Sequence, residues 1–171
     1  MGLFRLIYTL DKVVIAKVQG HAIAGGCGLA TVCDFVITQP EAKFGYTEVR
    51  IGFVPAIVMV FLLRRLGEGR ARELLLGGQL IDAERAMQIG LVNKVVASDQ
   101  LEAEVAALAD SLISGNASES MKRVKEMISK TSGMDLNEAL NYAVEQNALA
   151  RDTVACKQGI KAFLDKKPIK W

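Results

Sequence analysis

A run of β-branched residues followed by a cluster of small residues restricts the fold of this chain more than any other part of its sequence. Residues 13–18 form a short apolar run bounded by Gly20, which is typical of a buried strand. The segment HAIAGGCGLATVCD follows, and its small residues allow a tight loop that leads into a helix. Residues 35–38 predict a second strand. This order of strand, glycine loop, helix and strand predicts an α/β fold in which the two strands pair in parallel.

The rest of the sequence is mostly helical in pattern. Residues 3–10 resemble the end of an amphipathic helix, 43–52 a strand and loop, and 91–96 a last strand. Apolar residues recur at spacings of three and four in 58–66, 70–76, 99–113, 117–129 and 136–164, which predicts helices there. Gly67 and Gly69 interrupt this pattern. A further helix is expected between Asp82, its predicted N-cap, and Gly90, its predicted C-cap. We therefore expect a single domain with a parallel sheet first and helices second.

The composition favours a globular domain and disfavours two classes of partner. The chain has 171 residues, of which 51% are apolar and 23% charged, enough for one buried core. Its 21 basic and 19 acidic residues are dispersed, without the concentrated basic surface that a nucleic-acid-binding protein needs. The longest apolar run, residues 51–63, contains Pro55 and is shorter than the roughly 20 residues that span a bilayer. We expect neither nucleic acid nor a membrane as a partner.

The cysteines indicate a reducing environment. Cys27, Cys33 and Cys156 are odd in number and show no CxxC spacing. This pattern favours thiols over a disulfide framework or a zinc site. We therefore expect a cytoplasmic protein without a bound metal.

The pair Gly25–Gly26, at the predicted start of a helix, is the first candidate for a functional site. Backbone N–H groups at a helix start lack intrahelical partners, and the helix dipole adds positive potential, so a developing oxyanion is stabilised there. Glycine also lets a ligand approach the backbone closely. The alternative is that these glycines only allow the helix to pack tightly on a strand.

Glu48 is the second candidate. It lies in KFGYTEVRIGFVP, between a predicted strand and an apolar run, where a partly desolvated carboxylate can act as a general acid or base. The alternatives are an exposed carboxylate paired with Arg50, or a helix cap.

Other polar or reactive residues favour structural roles. His21, the single histidine, has no Ser/Asp partner pattern around it and is expected to be a hydrogen-bonded structural residue. Cys27 and Cys33 lie on an apolar predicted helix and are expected in the core. Arg64 and Arg65 are most simply part of a solvated helix face, with phosphate contacts as the alternative.

Several separate segments resemble the crotonase (enoyl-CoA hydratase/isomerase) superfamily in order and spacing. They are VVIAKVQGHAIAGGCGLATVCDFVI, AKFGYTEVRIGFVPA, LLGGQLIDAERAMQIGLVNKVV and the closing QGIKAFLDKK. The resemblance covers about residues 12–167. It implies a partial crotonase-like ββα spiral over about residues 1–97, a helical trimerisation region over residues 98–171, and assembly as a homotrimer or a dimer of trimers.

The resemblance also implies an acyl-CoA thioester as substrate, with coenzyme A part of that substrate and no separate cofactor. The thioester oxygen accepts a hydrogen bond from the N–H at the position of Gly25, within a binding loop that includes Ala24, Gly26 and Gly28. A second N–H comes from a loop upstream, which we expect to precede this chain, because the protein is shortened or because its start is assigned too late.

The C-terminal helix of a neighbouring subunit can touch the adenine in this family. Phe163 and Lys166 occupy the matching positions.

The acid/base pattern separates this sequence from two-glutamate hydratases. Those carry one glutamate in the glycine-loop helix and one after the FG strand, and here the two positions hold Gly28 and Glu48. Single-glutamate relatives include some that are similar to bacterial methylglutaconyl-CoA hydratases. The resemblance therefore implies a lyase that hydrates a 2-enoyl-CoA, with the Gly25 N–H stabilising the enolate and Glu48 moving a proton. The alternatives are an enoyl-CoA isomerase using one glutamate and an inactive acyl-CoA-binding fragment or subunit.

Overall fold

The computed structural model describes residues 2–169 and 171, which divide into two compact units. The first contains the described part of residues 1–8 together with residues 14–107. The second contains residues 9–13 and 108–171. None of the helices in the described part of the chain is both long and apolar enough to cross a bilayer.

The first unit holds the strands. Its elements are α1 (Gly2–Thr9), β1 (Ile15–Val18), β2 (Ala22–Ile23), α2 (Gly25–Val32), β3 (Phe35–Thr38), β4 (Lys43–Gly45), a 3₁₀ turn (Glu48–Ile51), α3 (Ala56–Gly77), β5 (Ile81–Asp82), α4 (Ala83–Gln88) and β6 (Lys94–Val95). The helix predicted at 3–10 and the strand predicted at 35–38 are confirmed, and the strand predicted at 13–18 is present but covers only Ile15–Val18. The strand expected at 91–96 is shortened to two residues, because Leu91 and Val92 turn into the core instead.

The strands form two small sheets. β1, β3 and β6 pair in parallel in that order, as expected for β1 and β3. β2 and β4 also pair in parallel, with Ala22 opposite Phe44 and Ile23 opposite Gly45. β5, which was not predicted, pairs with β4 in the antiparallel sense and adds one antiparallel pair to the expected parallel pairing.

Two glycines and one aspartate set the helix boundaries. Gly67 adopts φ 72° and kinks α3 as expected, whereas Gly69 lies within the regular helix, so the interruption expected there was wrong. The Asp82 side chain caps α4 by accepting from the Arg85 N–H at 2.7 Å. The C-cap of α4 is Ile89, one residue earlier than predicted, and Gly90 follows it with φ 84°, at a position that favours glycine.

Helices make up the second unit. It contains most of α5 (Leu101–Gly115, which begins in the first unit), α6 (Ser118–Thr131), α7 (Leu136–Arg151) and α8 (Val154–Leu164). The single helix predicted for residues 136–164 was wrong, because the chain breaks between α7 and α8. The Thr153 hydroxyl accepts from the Cys156 N–H at 3.1 Å and starts a new helix there.

Arg65 forms hydrogen bonds to the ends of α2 and α4 inside the first unit and is not part of a solvated face. Its guanidinium donates to the carbonyls of Thr31 (3.1 Å), Cys33 (2.8 Å) and Gly90 (3.3 Å), and to Asn93 Oδ1 (3.1 Å). The first two carbonyls lie at the end of α2, where a cation is favoured. Burial lowers the pKa of Arg65 from its ordinary value. The expectation of a solvated helix face was therefore wrong for this arginine.

Replacing Arg65 with alanine is expected to lower the free energy of unfolding by about 2–4 kcal/mol, because four acceptors lose a charged donor. Chemical denaturation measures this change. Arg64→Ala is the matched control, since Arg64 is exposed and bonds Val60 within its own helix; it is expected to cost less than about 1 kcal/mol. Equal losses in the two variants would contradict the capping role.

Candidate active site

Two parallel strands carry the candidate residues to the same edge of a sheet. β2 ends at Ile23 and β4 ends at Gly45, and these two residues lie opposite each other. Gly25 follows the first strand by two residues and Glu48 follows the second by three. Because the carboxyl ends of parallel strands meet at one edge, the start of α2 and the 3₁₀ turn are neighbours. The Ala24 N–H donates to the Gly45 carbonyl at 2.8 Å and joins the two segments directly.

The peptide unit between Ala24 and Gly25 directs an N–H group away from the helix. The Ala24 carbonyl accepts from the Gly28 N–H at 3.0 Å, so it points along α2. The N–H of a trans peptide points opposite to its carbonyl, and the Gly25 N–H therefore points outward from the start of the helix. A first-turn N–H has no intrahelical partner and lies at the positive end of the helix dipole. This group can stabilise a negatively charged oxygen.

Ala24 holds this geometry in a conformation that alanine rarely adopts. Its φ is 52° and its ψ is −123°, a region that favours glycine. The hydrogen bonds of its N–H and carbonyl fix the conformation from both sides. Strain of this kind costs on the order of 1–3 kcal/mol and is frequent at functional sites.

Ala24→Gly is expected to raise the free energy of unfolding by about 1 kcal/mol. The strain energy that glycine relieves in the folded state is larger than the free energy by which glycine's greater freedom stabilises the unfolded chain. Denaturant midpoints provide the measurement. Ala30→Gly, at a regular position of the same helix, is expected to lower stability by about 1 kcal/mol. A loss of stability in both variants would show that Ala24 is not strained.

Glu48 carries a buried carboxylate oxygen that no other group satisfies. The residue as a whole is partly exposed, but Oε2 is buried and has no hydrogen-bond partner among the described residues. The Arg50 guanidinium donates to Gln79 Oε1 at 2.6 Å instead, so the alternative of a Glu48–Arg50 pair was wrong. The 3₁₀ turn has no side-chain cap either. An unsatisfied buried acceptor is unfavourable in a resting protein, and its presence points to a role with a ligand.

The surroundings of Glu48 are neutral and buried. Burial raises the pKa of the Cys27 thiol to about 11, and the Glu48 carboxylate adds to this increase. The pKa of Tyr46 lies well above its ordinary value, again mainly because of burial, with Glu48 as a smaller contributor. Both groups therefore remain uncharged at neutral pH, and Cys27 is not an activated nucleophile.

Gly28 lies where α2 contacts α3 and leaves no room for a side chain. A Cβ atom built on it would lie 2.2 Å from Val58 Cγ1 and 3.1 Å from Phe4 Cε1. A Cβ atom essentially never lies 2.2 Å from another heavy atom, so even alanine would force Val58 of α3 to move. The close approach of the two helices explains glycine here and excludes a second carboxylate in the same packing.

Comparison with known proteins identifies the family of this chain. The family model described as enoyl-CoA hydratase/isomerase matches residues 1–171. The chain belongs to the enoyl-CoA hydratase/isomerase family. It is 44% identical over 168 residues to a Thermus thermophilus protein that is provisionally named an enoyl-CoA hydratase. This match covers 98% of this chain and 66% of that protein. It is 38% identical over 165 residues to the crotonyl-CoA hydratase of Syntrophomonas wolfei, covering 96% and 63%.

The solved structures agree on the fold. The enoyl-CoA hydratase of Mycobacterium smegmatis superposes with a TM-score of 0.92 at 28% identity, covering 99% of this chain and 65% of that structure. The chain therefore has the crotonase-like α/β fold that its sequence predicts. It spans slightly less than two thirds of the length of these relatives.

The other residues predicted for an enoyl-CoA hydratase/isomerase site lie in several places. Gly26 lines an open apolar groove of about 410 Å³ together with residues of α1 and β1, and neither Gly25 nor Glu48 borders it. His21 borders the same groove and accepts from the Lys43 N–H at 3.3 Å, so it is hydrogen-bonded as predicted. Phe163 and Lys166 belong to the second unit, where the Phe163 side chain is 82% exposed.

Sequence reasoning missed two members of the site. Tyr46 and Thr31 are buried, and their hydroxyl oxygens lie 2.7 Å apart. Tyr46 stands two residues before Glu48, and this position was the available signal. Among the described residues, no group of three or more His, Cys, Asp or Glu side chains could hold a metal ion.

Proposed function

We propose that this chain is an acyl-CoA-binding lyase that adds water reversibly to a 2-enoyl-CoA thioester. The buried, unpartnered Oε2 of Glu48 at the sheet edge that also presents the Gly25 N–H is the observation that carries the proposal. The name of the related crotonyl-CoA hydratase supports a short enoyl thioester as substrate.

In the proposed mechanism Glu48 is the only acid/base residue. It accepts a proton from water as the water oxygen bonds to C3 of the enoyl group. The electrons of the C2=C3 bond move toward the thioester, whose oxygen becomes an enolate oxygen stabilised by the Gly25 N–H. Protonated Glu48 then delivers its proton to C2, which gives the 3-hydroxyacyl-CoA and restores the carboxylate. A hydrogen-bond donor to the enolate oxygen, such as the Gly25 N–H, contributes roughly a factor of 10² to 10³ in rate.

Other residues support binding in the same proposal. Ala24, Gly26 and Gly28 shape the loop that receives the thioester, while Phe163 and Lys166 contact the adenine of a neighbouring subunit's substrate. This arrangement requires a homotrimer or a dimer of trimers. Thiols at all three cysteines agree with a cytoplasmic enzyme. The enoyl-CoA substrate places this enzyme in fatty acid metabolism. The chain is one crotonase-like domain, with the spiral core ahead of the helical region.

Loss of the conjugated thioester absorbance of crotonyl-CoA and 3-methylglutaconyl-CoA tests the proposal. The purified chain is expected to consume at least one of them and to form the 3-hydroxy product. Conversion of a 3-enoyl-CoA without net hydration would assign an isomerase instead. A folded chain that binds acyl-CoA but converts neither type of substrate would be a binding subunit, and the proposal would be wrong.

A further inference from the structure

The segment that carries Glu48 is fastened to α2 by a buried hydroxyl. Tyr46 is fully buried, and its OH lies 2.7 Å from Thr31 Oγ1. The Thr31 hydroxyl donates its one proton to the Cys27 carbonyl at 2.8 Å. The Tyr46 OH is therefore the donor of the shared hydrogen bond, and Thr31 Oγ1 is its acceptor.

This hydrogen bond joins the two halves of the proposed site. Cys27 lies two residues after Gly25, in the first turn of α2, and Tyr46 lies two residues before Glu48. The Gly45 carbonyl accepts from the Ala24 N–H, so the Glu48 segment is attached to α2 at two neighbouring points. Two attachments fix both the distance and the orientation of one segment relative to the other, which a single hydrogen bond cannot do.

The network is suited to holding position and unsuited to proton transfer. Tyr46, Thr31 and Cys27 are all buried, and the raised pKa of the tyrosine keeps its donor proton in place at neutral pH. In a buried environment hydrogen bonds are strong and their geometry is well defined. Within the described part of the chain, Oε2 of Glu48 has no hydrogen-bond partner that would fix the carboxylate. Its position therefore depends on the backbone that Tyr46 holds.

We propose that Tyr46 is a positioning residue that, through Thr31, fixes the Glu48 carboxylate relative to the Gly25 N–H. The inference rests on the proposed hydratase function for its effect on rate. Proton transfer and enolate stabilisation must occur on one substrate, and a misplacement of about 1 Å can reduce turnover roughly 100-fold.

The test compares Tyr46→Phe with a variant that removes a similar bond elsewhere. Thr38→Val is the control, because Thr38 is fully buried and its hydroxyl donates to the Val18 carbonyl at 2.9 Å, away from Glu48. Both variants are expected to lose similar stability. Tyr46→Phe is expected to lower kcat roughly 10- to 100-fold with KM changed less than about threefold, whereas Thr38→Val keeps kcat within about threefold.

Three further variants separate positioning from loss of structure. Thr31→Val is expected to reproduce the loss in kcat, and Thr31→Ser, which keeps the hydroxyl, to restore most of it. In a Glu48→Gln background, Tyr46→Phe is expected to cause little further loss, because it acts through the missing carboxylate. Full additivity in the double variant would overturn the proposal.

Crystal structures of the wild type, Tyr46→Phe and Thr38→Val give a readout that is independent of turnover. The Glu48 carboxylate is expected to be displaced or split between conformers in Tyr46→Phe and unchanged in Thr38→Val. An unmoved carboxylate in Tyr46→Phe would overturn the positioning role, whether or not the protein is active. Absence of turnover in the wild type would instead overturn the proposed function, and displacement of Glu48 would still establish the positioning role.

Discussion

Glu48→Gln is expected to lower kcat for hydration about 10²- to 10⁴-fold while leaving the protein at least as stable as the wild type. Glutamine preserves the size of the side chain but cannot accept and return a proton. Removing a buried carboxylate oxygen without a partner relieves an unfavourable interaction, so the free energy of unfolding should be unchanged or rise by up to about 1 kcal/mol. Steady-state hydration kinetics and chemical denaturation measure the two effects.

Glu84→Gln is the control for this prediction. Glu84 is an exposed carboxylate in the first turn of α4, away from the sheet edge that carries Glu48. The control variant is expected to keep full activity and to lose less than about 1 kcal/mol of stability. If Glu48→Gln lost stability and kept its activity, Glu48 would be a structural residue and the mechanism would be wrong.

Gly28→Glu, which introduces the carboxylate of a two-glutamate hydratase, is expected to destabilise the protein by roughly 3 kcal/mol or more and not to raise its activity. The first side-chain carbon would meet Val58 Cγ1 at 2.2 Å, and overpacking of a core is unfavourable. Gly28→Ala should show most of this loss, because the clash begins at Cβ. Thermal unfolding and hydration kinetics of both variants check the prediction.

A double variant tests the physical cause of that loss. Val58→Ala alone is expected to lower stability, since Val58 is buried. Combined with Gly28→Ala, however, it makes room for the new methyl group, so the double variant should be at least about 1 kcal/mol more stable than the sum of the two losses predicts. Additive losses would show that Val58 does not restrict residue 28.

The sequence predicted those elements whose signals are local. The strand at 35–38 has the expected bounds, and both the Asp82 cap and the interruption at Gly67 follow from single residue types. β2 and β5 were missed because two residues are too short for any periodic pattern. The break before Thr153 was missed because the apolar spacing continues across it, although a threonine N-cap was present.

The candidate site was predicted in part. Glu48 and Gly25 were identified by residue type and by family resemblance, but their meeting at one sheet edge depends on the pairing of β2 with β4. The positive φ of Ala24 was hidden because alanine gives no signal for such a conformation. Arg65 was misread because paired arginines on a helix are typical of a solvated surface, and its acceptors lie far away in sequence.

The most direct test of the account is to react the purified chain separately with crotonyl-CoA and with 3-methylglutaconyl-CoA in water enriched in oxygen-18, and to analyse the products by mass spectrometry. The account predicts a 3-hydroxyacyl-CoA that carries one heavy oxygen atom at C3, formed by the wild type and almost undetectably by Glu48→Gln. Recovery of both thioesters unchanged, or of an isomer without heavy oxygen, would contradict hydration by Glu48.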